Sequence, residues 1–275
     1  MSELERLLAL EAPDVEDALE AVREVRATDR DRWQRLVVAC LDLTSLRAED
    51  TARDVERLAA RALAPADGWP PCAAVCVFPV FVPTVRRALG DGPVKLASVA
   101  GAFPHGQLPL ALRTAEVRWV VDQGADEVDV VVRRGQLLAG ELDRVHDDLA
   151  ALVEAAGGAT VKVILETGGL PDARVWQGAL VALAAGAHFL KTSTGTSGIG
   201  ATPRAGALLL RALRTHHAAT GEVRGYKASG GLRTPEDAWV HLALVARILG
   251  SAWLHPDRLR LGASSLLDAV LADGG

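Results

Sequence analysis

Eight times along the chain a short apolar, β-branched run is followed by a segment with the spacing of an amphipathic helix, and this alternation limits the fold more than any other feature. The strand-like runs are Leu36 to Leu43, Ala73 to Phe78, Val94 to Ala100, Glu127 to Val132, Thr160 to Glu166, Ala187 to Thr192, Val223 to Ala228 and Leu259 to Ser264. Most are almost continuously apolar, as parallel strands covered by helices on their outer face must be. Between them, Ala111 to Gln123 shows one apolar helical face, while Thr202-Pro203 and Thr234-Pro235-Glu236-Asp237 read as capped helix starts. Eight alternating units are the count of a (β/α)8 TIM barrel, which takes about 250 residues. A doubly wound open sheet is the competing fold, but it expects a glycine-rich first turn, and Asp42-Leu43-Thr44-Ser45 is not one. No linker or low-complexity tract divides the chain, so residues 35–275 are expected to form one barrel behind a short acidic helical extension over 1–34.

Charge then singles out a few residues. The 30 basic residues comprise 26 arginines and only four lysines, Lys95, Lys162, Lys191 and Lys227. A guanidinium keeps its proton at working pH, whereas a lysine amine can lose it and become a nucleophile or base. In a chain this biased toward arginine, lysine is expected mainly where arginine will not serve, with one or two of the four being surface or buried structural amines. Lys191 and Lys227 fall near the C-terminal ends of the sixth and seventh strands, where this architecture builds its active sites. Asp129 interrupts the run Val128 to Val132, and Asp42 and Glu166 end the first and fifth strands. Buried acids need cations or hydrogen-bond donors, and lysines projecting into the same barrel are expected to supply them. A purely structural ion-pair network is the other reading.

Three loops at the same end have the composition of an anion site. Ala228-Ser229-Gly230-Gly231 and Gly262-Ala263-Ser264-Ser265 bring small residues and backbone N–H groups to helix starts after strands seven and eight, the usual phosphate position in barrels. Thr192-Ser193-Thr194-Gly195 adds hydroxyls after strand six. The run Gly195 to Gly200 lacks the order of a nucleotide-binding turn.

At these residues the sequence resembles the deoxyribose-phosphate aldolases, class I aldolases, from about Leu41 to Leu267. The stretches that carry the resemblance are Leu41-Asp42-Leu43-Thr44, Ala74 to Pro79, Phe103-Pro104-His105-Gly106, Gly124 to Val131, Val161 to Thr167, Phe189 to Gly195, Gly225 to Thr234 and Gly262 to Ser265. The resemblance implies reversible cleavage of 2-deoxy-D-ribose 5-phosphate to D-glyceraldehyde 3-phosphate and acetaldehyde, without metal or organic cofactor. It implies that Lys191 forms the Schiff base and that Asp129 and Lys227 relay protons. By the same resemblance Asp42, Cys76, Lys162 and Thr192 line the site, and Gly195, Gly230, Gly231, Ser264 and Ser265 hold the phosphate. Cys76 reads equally well as a small buried hydrophobe, and Lys162 as a structural partner of an inward acid. Thr196 stands where several relatives carry a phosphate-binding lysine. The stretch Ser98 to Phe103 is one residue longer than in many bacterial members. The sequence ends at Gly275 without the C-terminal tyrosine tail of some members, so no catalytic part is expected for such a tail.

For Lys191 to attack a carbonyl it must be neutral. Each pKa unit of depression corresponds to about 1.4 kcal/mol, and a second ammonium about 4 to 5 Å away contributes ~3 to 4 kcal/mol at an effective dielectric near 20. Lys227 is thus expected to supply most of the depression and desolvation the remainder. Two alternatives stay open: a Schiff-base aldolase for another phosphorylated sugar, and a barrel that binds sugar phosphates without turnover. A net charge of -5 without like-charge runs offers no footprint for nucleic acid or an anionic membrane. No apolar run approaches a spanning helix, and the acidic start Met1-Ser2-Glu3-Leu4-Glu5 is the wrong sign for a signal peptide, so a cytoplasmic protein with free, reduced cysteines is expected. The seven histidines have no zinc-ligand spacing. A homodimer is a possible assembly.

Overall fold

The computed structural model describes residues 10–23, 25 and 29–273; the acidic start and parts of the N-terminal extension lie outside these. Two helices, α1 (Glu16–Val22) and α2 (Arg30–Ala39), lead into the first strand. Eight strands follow: β1 (Leu41–Thr44), β2 (Ala74–Val77), β3 (Lys95–Ala100), β4 (Glu127–Val131), β5 (Thr160–Ile164), β6 (Phe189–Lys191), β7 (Gly225–Ser229) and β8 (Leu259–Ala263). They pair in parallel in chain order, and β1 closes on β8 with Asp42 opposite Gly262. The fold is a (β/α)8 barrel.

The outer helices are α3 (Ala52–Leu63), α4 (Val82–Leu89), α5 (Leu110–Asp122), α6 (Arg134–Ala139), α7 (Leu142–Ala155), α8 (Asp172–Ala184), α9 (Pro203–Thr220), α10 (Pro235–Ile248) and α11 (Leu266–Asp273). Their starts follow from capping chemistry. Thr234 closes a reciprocal capping box with Asp237, Thr51 does so with Asp54, and the Thr202 hydroxyl accepts from the Ala205 amide. The outward-facing valines and leucines of the strands, among them Val128, Val130, Val161 and Val163, pack with the inner helix faces into one apolar layer.

Most strands differ from the sequence expectation by a residue or two at an end, but the first is a correction. Leu36, Val37 and Val38 are helical, in the last turns of α2, and β1 begins only at Leu41. The β-branched character of Val37 and Val38 is outweighed by position: Gln34, Val37 and Val38 form one buried helical face, at i, i+3 and i+4.

Candidate active site

Because parallel partners share a face of the sheet, the register decides which side chains meet inside the barrel. Lys162 lies opposite Asp129, Lys191 opposite Lys227, and Lys227 opposite Arg260. Lys191 Nζ donates to Asp129 Oδ2 at 2.7 Å, and Lys227 Nζ donates to the same oxygen at 2.8 Å. Lys227 also donates to Asp42. Lys162 Nζ donates to Asp129 Oδ1 at 3.1 Å and to Glu127, and lies 3.3 Å from Asp42 Oδ2. Arg260 completes the cluster, with Nη1 on Asp42 Oδ1 at 2.7 Å and Nη2 on Glu127 Oε1 at 2.7 Å. Room for Lys227 comes from Gly262, where a Cβ would stand 3.0 Å from Lys227 Cε and 2.7 Å from Ser229 Oγ.

Counted as charges, the cluster sets three carboxylates, Asp42, Glu127 and Asp129, against four cations, Lys162, Lys191, Lys227 and Arg260. All are buried. A desolvated cluster with one cation in excess favours release of a proton from the least supported member. That member is Lys191, whose only carboxylate partner among the described residues is an oxygen it shares with Lys227. Burial draws its ammonium below the ordinary lysine range; Asp129 opposes this and Lys227 reinforces it. The expectation that Lys227 supplies most of the depression is therefore corrected: desolvation comes first. For Lys227 burial also disfavours the charge, but Asp129 and Asp42 overcome it and raise its pKa. Burial likewise disfavours the charge on Lys162, yet Asp129, Asp42 and Glu127 hold it protonated. Burial works against the Asp129 carboxylate, and Lys162, Lys191 and Lys227 still keep it ionised.

Cys76 lies beside the cluster in a small apolar group with Ala74, Ala97 and Val99, against which Leu46, Phe78 and Phe103 pack. Burial pushes its thiol pKa up, and Asp129 adds to the effect, so it behaves as an apolar wall. The barrel interior is thus charged along β4 to β8 and at Asp42 of β1, and small and apolar along β2 and β3. Lys95 is exposed at the N-terminal end of β3, away from this mouth.

Above the lysines opens a cavity of about 600 Å³ that brings together Gly195, Gly230, Gly231, Ser264 and Ser265 with Thr194, Thr196, Arg47 and Arg233. Behind Gly230 the backbone is close-packed: the Ala201 amide donates to the Gly230 carbonyl at 2.9 Å, and a Cβ on Gly200 would lie 2.1 Å from that oxygen. Only glycine fits at position 200. Thr192 lies outside this wall. Its hydroxyl donates to the Ser229 carbonyl at 3.1 Å and accepts from the Ser229 amide at 3.0 Å, tying the ends of β6 and β7 together.

Glu166 departs from the expectation that a lysine partners it. Its backbone is left-handed, with φ 56°, and turns the carboxylate onto the sixth loop, where it accepts from the Thr194 hydroxyl and, at 2.8 Å, from the Ser197 hydroxyl. Reading the sequence also missed Glu127, Arg260 and Arg113. Arg113, fully buried on α5, donates Nε to the Gly101 carbonyl at 2.9 Å and Nη2 to the Val131 carbonyl at 2.7 Å, which fixes the loop after β3 against β4. The signal for Arg260 was an arginine between two strand leucines, the same pattern that exposed Asp129. Removing one partner of a buried ion cluster typically costs about 3 to 5 kcal/mol. Arg260→Leu is accordingly expected to lower unfolding free energy in urea by that amount, and Arg260→Lys by clearly less.

No group of three or more His, Cys, Asp or Glu side chains placed to hold a metal ion occurs among the described residues. Nor is any described helix long and apolar enough to cross a membrane.

Fold and site together define a barrel enzyme built around a lysine–carboxylate cluster. The sequence profile of the "DeoC/LacD family aldolase" group matches residues 36–269, and the chain belongs to that family. A deoxyribose-phosphate aldolase of Mus musculus is 38% identical over 266 residues, covering 92% of this chain and 84% of its own. One from Agrobacterium fabrum is 38% identical over 239 residues, 86% of this chain and 89% of its own. Among solved structures, the deoxyribose phosphate aldolase of Aeropyrum pernix, a tetramer, superposes with a TM-score of 0.70 at 28% identity, over 95% of this chain and 98% of that one.

Proposed function

We propose that the protein reversibly cleaves 2-deoxy-D-ribose 5-phosphate to D-glyceraldehyde 3-phosphate and acetaldehyde through a Schiff base on Lys191. The observation that carries this reading is a buried lysine of depressed basicity, sharing one carboxylate oxygen with a second lysine that stays charged. The names of the relatives point to the same substrate.

In the cleavage direction neutral Lys191 Nζ attacks C1 of the open-chain sugar, and loss of water from the carbinolamine gives an iminium. The C3 hydroxyl gives up its proton, the C2–C3 bond breaks, and its electron pair flows into the iminium to leave an enamine. Glyceraldehyde 3-phosphate departs as the C3 aldehyde. Protonation of the enamine at C2 and hydrolysis then release acetaldehyde and free the amine. Asp129, in contact with both lysines, passes protons between the amine and the reacting atoms, and Lys227 supplies them. The apolar wall around Cys76, Phe78 and Phe103 receives the methyl end, and the glycine- and serine-rich rim receives the phosphate.

The remaining parts of the reading are a cytoplasmic enzyme of one catalytic barrel behind a helical extension. The exposed Leu108, Leu112 and Trp119 on and before α5 favour a homodimer, which sedimentation decides. Turnover of the phosphorylated sugar in excess chelator, with no nucleotide added, is the expected result because Lys191 is itself the electron sink. Loss of turnover that a divalent ion restores would sink the mechanism, and faster cleavage of another phosphorylated sugar would move the substrate. Ser264→Asp, which places an anion in the phosphate rim, is expected to raise KM for the phosphorylated sugar at least about tenfold while changing free 2-deoxyribose little. Equal losses for both sugars would place the phosphate elsewhere.

A further inference from the structure

The phosphate rim lacks a cation on its sixth loop. That loop runs from Thr192 to Gly200 without a charged residue, and the Thr196 hydroxyl is engaged with the Thr194 hydroxyl at 2.8 Å, on the side of Glu166. Backbone N–H groups at helix starts already favour an anion there, and a guanidinium would add a bidentate, charge-assisted contact that a neutral hydroxymethyl group cannot return. Such a cation has to come from another wall. Among the described residues that line this cavity, the cations are Arg47 and Arg233, and the acid Asp268 is engaged by Arg61.

Arg47 sits on the loop after β1, a segment that none of the phosphate loops includes, and its setting is built. The Asp50 carboxylate, whose side chain is fully buried, accepts from the Ser45 hydroxyl at 2.7 Å, from the Arg47 amide at 3.0 Å and from Arg47 Nε at 3.0 Å. One carboxylate thus holds both the backbone and the inner nitrogen of the same arginine. The terminal nitrogens Nη1 and Nη2 donate no hydrogen bond among the described residues, and they form the paired edge that matches two oxygens of a phosphate. Arg233 differs: only its backbone amide is held, by Asp237, and its guanidinium has no carboxylate partner among the described residues. A side chain already fixed at Nε loses less freedom on binding than one that is not.

Resting on the reading of the reaction given above, we infer that Arg47, clamped by Asp50, is a phosphate-recognising residue of this chain, that it takes over the charge its sixth loop lacks, and that it sets the preference for the phosphorylated sugar. The test is a comparison of Arg47→Gln, Arg47→Lys and Ser264→Asp with the unaltered protein, using deoxyribose 5-phosphate and free 2-deoxyribose as substrates and inorganic phosphate as competitor. Arg47→Gln is expected to raise KM for the phosphorylated sugar and the inhibition constant of phosphate together, each about tenfold, with kcat/KM for the free sugar changed less than about twofold. Arg47→Lys keeps the charge and is expected to recover most of the loss in low salt. Equal losses for both sugars would make Arg47 a structural prop of its loop and overturn the inference. So would an unchanged KM in Arg47→Gln alongside a raised one in Ser264→Asp, which leaves the phosphate site standing without Arg47. Should Ser264→Asp also leave KM unchanged, the phosphate site itself is misplaced and the Arg47 assignment goes with it.

Discussion

Lys191→Arg is expected to lower turnover of deoxyribose 5-phosphate by at least about 10⁴-fold while leaving the fold intact. The substitution keeps a cation on Asp129 and so does not orphan a buried carboxylate. What it removes is the ability to shed a proton in a desolvated site, since a guanidinium stays protonated at any working pH. Lys191 can do so because burial and Lys227 together outweigh the support of Asp129. Circular dichroism and urea titration of the variant separate this loss from unfolding. An arginine variant retaining more than about a hundredth of the activity would mean that the covalent step lies on another amine.

Lys227→Leu is expected to cost about 10² to 10⁴-fold in kcat/KM and to move the acid limb of its pH profile upward. Two effects share that sign. The cation that disfavours a charge on Lys191 is gone, and the Asp129 oxygen that served both lysines is left to Lys191 alone. Both raise the pKa of Lys191, so the neutral amine appears only at higher pH. In the unaltered protein the depressed pKa puts that limb below the ordinary lysine range; activity falls as pH drops through it and the amine is protonated. An unshifted limb in Lys227→Leu would show that Lys227 acts only as a proton donor. A limb shifted downward would contradict the charge account of the cluster.

How much of this was legible in the sequence depended on contrast. Lys162, Lys191 and Lys227 stood out because lysine is rare in this chain, and Asp129 because it interrupts valines. Arg260 and Arg113 also hold buried partners but were hidden by number among the other arginines, and only the leucines flanking Arg260 set it apart. Glu127 was masked by Asp126 before it, which makes the start of β4 read as the polar end of a loop. The run Leu36-Val37-Val38 misled through composition: local preference pointed to a strand, and burial of one helical face decided otherwise. Glu166 lies two residues beyond the end of β5 rather than at it, and its left-handed backbone, which no pattern of side-chain types announces, turns it from the lysines toward Thr194 and Ser197. The balance of causes at Lys191 needed the structure as well. Sequence order brings two lysines to one mouth; only the closed barrel shows how completely they are withdrawn from water.

The central claim, that Lys191 carries the covalent chemistry, is tested most directly by borohydride reduction of the unaltered protein in the presence of acetaldehyde, followed by peptide mass mapping. The account predicts a single ethyl group, on the peptide containing Leu190-Lys191-Thr192, and none without acetaldehyde. Labelling confined to Lys227 or Lys162 would contradict it, even if cleavage of the sugar phosphate were confirmed.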